Sequence, residues 1–196
     1  MKTYKEFLSE SSLSKVQKAW SEHDTGTITA FRFAKDCGEG DKYTTKSNKD
    51  RNLVLKFKIL SKGFGVTKVK GSWLENGDVE VGEESFFVVD LKDSGKLKQT
   101  LQEFGYEFEQ DAITYADKQS DYYAIGTNKC PGAFPGYKKE VKLGKPTFGK
   151  VGVDGFSRVN GRAFVFESTT FDVITDYPPT EIRSIHKSNE INIKEL

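Results

Sequence analysis

Four consecutive apolar residues, Phe86-Phe87-Val88-Val89, constrain this chain most, because a strand with no polar residue on either face must be covered on both. Such a strand belongs in the middle of a sheet. Val66 to Leu74 alternates as a strand should, and Asn76-Gly77 after it is a typical two-residue turn between antiparallel strands. The run at 86–89 is therefore the second arm of a hairpin. Leu53, Phe57 and Leu60 lie at i, i+4 and i+7 before Gly63, which predicts a helix with those three residues facing the core. Leu97, Leu101 and Phe104 repeat that spacing between Ser94, a candidate cap, and Gly105, a candidate stop.

Thr27 to Phe33 is rich in β-branched and aromatic residues and reads as a first strand, while Ala112 to Tyr115 and Tyr122 to Ile125 read as two more. The order β-α-β-β-α-β with one extra strand predicts an α/β (α+β) domain with a ferredoxin-like sheet and its helices on one face. Phe156 to Val159 and Arg162 to Phe166 flank Asn160-Gly161 and predict a C-terminal β-hairpin covering a sheet edge. Closely spaced Gly and Pro over 129–155 predict a long surface excursion without regular structure. Phe31, Phe33, Phe86, Phe87, Phe104, Phe164 and Phe166 are read as core filling.

At 196 residues with 36% hydrophobic content the chain can bury one core, yet no run approaches the ~20 apolar residues of a membrane helix. With 30 Lys and Arg against 29 Asp and Glu, no global field draws it to nucleic acid or to a membrane. Cys37 and Cys130 are far apart in sequence and lack partners at ligand spacing, so neither a disulfide scaffold nor a metal site is expected. Free thiols in a reducing compartment are the simplest reading. His23 and His186 sit in polar surroundings and are expected to be exposed. No cofactor motif is found: Gly144-Lys145 precedes Pro146 and lacks the glycine spacing of a phosphate loop.

The first ten residues, M-K-T-Y-K-E-F-L-S-E, place Tyr4, Phe7 and Leu8 on one helical face. Met-Lys-Thr-Tyr, Glu6-Phe7, Leu8 and Glu10 resemble the capsid-targeting sequence of internal head proteins of T-even-type bacteriophages. That resemblance implies cleavage by the prohead protease after Glu10, leaving Ser11 as the new N-terminus. Lys5, Ser9 and Ser11 depart from the usual pattern. With that tag (1–10) set apart, composition and pattern divide the rest into a helical tether (11–25), one α/β domain (26–171) and a polar tail (172–196). The partners implied by the resemblance are the prohead scaffold and protease, then a host protein, with residence in the head interior and afterwards in host cytoplasm.

Right-handed crossovers would bring five chain ends to one rim of the sheet. These carry Arg32, Arg51 with Asn52, Glu83-Glu84-Ser85, Gln110 with Asp111, and Thr127 with Asn128. Arg32, Arg51, Asn52, Glu83, Ser85, Gln110 and Asn128 are the candidate ligand-binding residues, and Glu84 and Asp111 the candidate catalytic acids. The competing account is that strand ends are polar anyway and pair into surface salt bridges of little weight. Arg51-Asn52-Leu53, Gly71-Ser72-Trp73, Glu83-Glu84-Ser85-Phe86 and Phe108-Glu109-Gln110-Asp111 also resemble a bacterial and phage domain-of-unknown-function family over residues 26–128. Arg32 with Ser168-Thr169-Thr170 is similar in part to ADP-ribosyltransferases, but no Glu-x-Glu follows.

The N-terminal resemblance makes a phage virion protein of the head interior, packaged through that sequence and injected to counter a host factor, the leading expectation, with enzymatic activity left open. The rim makes a small nucleotide- or phosphate-ligand-binding domain or enzyme the alternative, and a structural virion component is the third.

Overall fold

The computed structural model describes residues 13–75, 79–148, 155–159 and 162–166. They form a mixed α+β fold. In chain order its elements are α1 (Leu13–Glu22), β1 (Thr25–Ile28), α2 (Thr45–Ser61), β2 (Gly65–Glu75), β3 (Val79–Val89) and α3 (Leu97–Glu107). There follow β4 (Ala112–Ala116), β5 (Tyr122–Gly126), β6 (Glu140–Gly144), β7 (Pro146–Phe148), β8 (Gly155–Val159) and β9 (Arg162–Phe166). The sheet runs β6-β5-β4-β1-β3-β2-β8-β9-β7. Its inner strands β4-β1-β3-β2, with α2 and α3 as crossovers, are the expected βαββαβ unit, and β5 is the extra strand.

Alternation along β3 divides the core into two layers. Phe86 and Val88 point to one face, where Leu55 and Ile59 of α2 and Leu97, Leu101 and Phe104 of α3 cover them. Phe87 and Val89 point to the other, against Val16 of α1, Val69 and Phe148. The apolar run is thus buried on both sides, as its composition demands. The segment expected to be a tether is docked: Val16 is buried, Trp20 Nε1 donates to the Ser120 carbonyl, and Gln119 N–H donates to the Trp20 carbonyl.

Several expectations are corrected. Leu53, Phe57 and Leu60 are exposed, and the buried stripe of α2 is Asn48, Asn52, Leu55 and Ile59 on the opposite side. The period was right and the face was wrong, because two asparagines hold core positions by hydrogen bonding backbone. The first strand ends at Ile28 rather than Phe33, since Asn52 and Asn48 take over its backbone partners. Asn52 Oδ1 accepts from Ala30 N–H and Asn48 Oδ1 from Arg32 N–H, while Asn48 Nδ2 donates to the Arg32 carbonyl. Phe33 is 62% exposed under the Lys42 ammonium, so it fills no core.

Gly63 does stop α2 with φ +86°. Gly105, by contrast, lies inside α3 and permits close approach, for a Cβ there would sit 2.6 Å from Thr127 Oγ1. Ser94 is not the cap of α3: it donates to the buried Asp90 carboxylate, and Lys96 occupies the cap position. The stretch 129–155 is not all irregular, since β6 and β7 fall within it. The C-terminal hairpin does cover an edge, β8 pairing with β2 from Lys70↔Arg158 to Trp73↔Gly155. His23 is half-buried and meets Asp93 Oδ1 at 2.9 Å. The turns at Asn76-Gly77 and Asn160-Gly161, His186, Phe164 and Phe166 as side chains, Ser168-Thr169-Thr170 and the polar tail lie outside the described residues.

Candidate functional site

Antiparallel pairing of β1 with β4 and of β4 with β5 brings the end of β1, the start of β4 and the end of β5 to one end of the sheet. The chain leaves β1 through Thr29 to Arg32, held against α2 by Asn48 and Asn52, so Arg32 is carried over the start of β4. Its guanidinium Nη1 donates to the Glu109 carbonyl and to Asp111 Oδ1 at 3.2 Å, and Nη2 donates to Cys130 Sγ at 3.6 Å. The buried Nε has no hydrogen-bond partner and faces Glu109 Oε2 at 3.9 Å. Asn128 Nδ2 donates to the same Asp111 oxygen at 2.9 Å and to the Glu109 carbonyl at 3.1 Å.

The side chain of Arg32 is only 13% exposed, whereas those of Asp111 and Glu109 are 54% and 42% exposed. The cluster therefore presents two carboxylates to solvent, backed by a buried cation and an amide. It suits a ligand that brings positive charge or N–H donors.

Other candidates serve a different purpose. Arg51 spends its fork on the Ala30 carbonyl, the Tyr43 hydroxyl and the Phe108 carbonyl, with its guanidinium 4.3 Å from the Tyr43 ring centroid. Gln110 Nε2 donates to the Phe31 and Phe108 carbonyls, and Asn52 Nδ2 to the Glu84 carbonyl. These three tie together the loops that carry Arg32 and Asp111. Glu84 is half-buried but paired with Lys68 Nζ at 2.7 Å. Ser85 is half-buried opposite Val69, and the Glu83 side chain lies outside the described ones.

Sequence reading missed Glu109 as a site residue, because it holds its place through a left-handed backbone (φ +56°) that no spacing announces. It also misread the cysteines. Cys37 and Cys130 form a disulfide across 93 residues, joining the turn at Asp36–Gly38 to the loop after β5. The expectation of two free thiols is overturned, since distance in sequence carries no information about distance in a βαββαβ sheet. Among the described residues no group of His, Cys, Asp or Glu is placed to hold a metal ion.

A family model described as the S-adenosylmethionine lyase family matches residues 27–172. The chain belongs to that family. The match begins in β1 and runs beyond β9, so it takes in the whole rim. It overturns the internal-head-protein reading, and with it the virion and capsid-targeting expectations, because the folded domain is that of a lyase family. Tyr4, Phe7, Leu8, Glu10 and Ser11 lie outside the described residues and outside the matched segment. The resemblance to a domain of unknown function over 26–128 gives way to the same match. No curated protein matches the sequence.

Proposed function

We propose that this domain is an enzyme that cleaves a carbon–sulfur bond of S-adenosylmethionine, using the carboxylate rim of Asp111 and Glu109. The observation that carries the reading is the coincidence of the family match with a two-carboxylate cluster on Arg32 and Asn128 inside the matched segment.

S-Adenosylmethionine joins a sulfonium cation to an α-amino acid that carries both an ammonium and a carboxylate. When a C–S bond breaks, its electron pair goes to sulfur, and the charged sulfonium leaves as a neutral thioether. In a lyase the carbon fragment is completed without water, by the substrate's own carboxylate or by loss of an adjacent proton. The leaving group needs no acid, so the protein's task is to hold and orient the charged substrate. Asp111 and Glu109 would receive the ammonium, and Arg32 and Asn128 would keep both acids in place.

The test is incubation of purified protein with S-adenosylmethionine, followed by chromatography and mass spectrometry of the products in ordinary and ¹⁸O-labelled water. Loss of substrate with unlabelled primary products is expected; substrate that stays intact on prolonged incubation refutes the reading, and label in the primary products refutes its lyase form. Asp111→Asn keeps the shape and removes the charge. Its kcat/KM should fall roughly 10- to 150-fold, the equivalent of one charge-assisted hydrogen bond.

A further inference from the structure

The two halves of the rim are joined covalently. Arg32 leads into the segment 34–42, which is closed by the bridge of Ala34 with Lys42 and by Lys35 N–H donating to the Asp41 carbonyl, with Cys37 near its tip. Asn128 leads into Cys130 and accepts its N–H through Oδ1 at 3.0 Å. The Cys37–Cys130 bond therefore fastens the segment that carries the rim's cation to the segment that carries its amide.

The two sulfurs stand in different surroundings. Cys37 is an exposed residue in a turn where it and Asp36 both hold left-handed backbone, at φ +58° and +48°. Cys130 is half-buried, and its Sγ accepts from Arg32 Nη2 at 3.6 Å. The same guanidinium gives Nη1 to Asp111 Oδ1 and faces Glu109 with an Nε that has no hydrogen-bond partner. A disulfide sulfur is neutral and a weak acceptor, so the closed bond leaves the guanidinium to the two carboxylates. A thiolate at the same place would compete for it with a full charge.

We propose that this bond is a redox control site on the rim, opened by a dithiol, and that its opening withdraws Arg32 from Asp111 and Glu109. A thiolate of the dithiol attacks Sγ of the exposed Cys37, the S–S bond breaks, and its electron pair leaves on the Cys130 sulfur, where the guanidinium stabilises the charge. The second sulfur of the dithiol then displaces Cys37 from the mixed disulfide. The dithiol ends as a disulfide, having given up two electrons and two protons. One proton goes to Cys37 and the other to solvent, which leaves Cys130 as a thiolate paired with Arg32. Water screens Asp111 and Glu109, 54% and 42% exposed, more than it screens a half-buried sulfur, so the guanidinium goes to the thiolate. Asp36 and Cys37 then relax from their left-handed conformations, which opposes re-closure until a disulfide oxidant returns. Thiol-rich surroundings thus turn the rim off and oxidising ones turn it on. The effect on turnover rests on the proposed function; the exchange chemistry does not.

The test reduces the folded protein with dithiothreitol without denaturant, traps the thiols with iodoacetamide for mass spectrometry, and measures kcat/KM for S-adenosylmethionine. Reduction should lower kcat/KM roughly tenfold, the lower bound for one charge-assisted hydrogen bond, and oxidised glutathione should restore it. Cys37→Ala/Cys130→Ala lacks both the bond and the thiolate and should stay close to the oxidised wild type. Equal losses in the double variant and the reduced wild type would reduce the bond to a clamp and overturn the switch. Unchanged kcat/KM after complete reduction also overturns it and leaves the proposed function standing. A wild type that cleaves no S-adenosylmethionine in either state removes the proposed function, and the rate of reduction then decides the role of Arg32. Arg32→Met should slow reduction by dithiothreitol roughly three- to tenfold, because the leaving charge is only partly developed as the bond breaks. Asp111→Asn, at an exposed position, should speed it by freeing the guanidinium for sulfur. Reduction rates indifferent to both variants, or a bond that opens only in denaturant, overturn the proposal whatever the activity.

Discussion

Breaking the Cys37–Cys130 bond tests how this domain holds its two site loops. The bond closes a loop of 93 residues, and neither cysteine belongs to the apolar clusters on the two faces of the sheet. Its removal should therefore spare the core and act mainly by freeing the unfolded chain. Loop-closure entropy for that separation is about 15.6 cal/mol/K, or about 4.6 kcal/mol at room temperature. Some of this returns in the native state, because Cys37 is held at φ +58°, in a backbone region that side chains other than glycine disfavour. Cys37→Ala/Cys130→Ala should thus remain folded and lose roughly 2–5 kcal/mol, lowering Tm by roughly 4–20 °C. Urea unfolding and thermal melts of the oxidised wild type, the wild type in dithiothreitol, and the double variant would measure it. The last two should agree. A wild type whose Tm is indifferent to reductant and equals that of the double variant refutes the loop-closure argument.

Three further outcomes follow from the packing. Phe57→Ala should change stability by no more than about 0.5 kcal/mol in urea unfolding, because the ring is exposed. Asn52→Leu should cost about 1–3 kcal/mol, since it leaves the Ala30 N–H without its partner and the Glu84 carbonyl with only the Thr29 hydroxyl. Gly126→Ala should cost about 1–3 kcal/mol and speed hydrogen exchange at Lys138 and Lys139, as the Gly136 carbonyl is pushed off β5. Burial pushes the Tyr122 phenol above its ordinary value of 10.0, with the Thr25 hydrogen bond opposing in part. Below that pH both folded and unfolded chains keep the proton. Above it the unfolded chain alone ionises, so stability falls as pH rises. Tyr122→Phe should flatten the fall measured by urea unfolding between about pH 10 and 12. A residual slope should persist from Tyr115, which is pushed the same way by burial and by Asp117 and Asp24.

The fold class was legible because it depends on local patterns. A four-residue apolar run, two helical repeats and the turn residues between them suffice to order βαββαβ, and burial of Phe86 to Val89 on both faces follows from their composition alone. The rim was legible at one remove, since topology fixes which strand ends meet, and Arg32, Asp111 and Asn128 do meet there. Which face of α2 turns inward was not legible. Asn48 and Asn52 replace the strand partners that residues 30–32 lack, and no hydrophobic period can register a side chain that is buried for its hydrogen bonds. The disulfide and the place of Glu109 lay beyond sequence for a common reason. Each joins residues whose separation along the chain is unrelated to their separation in space, so only the packed sheet could bring them together.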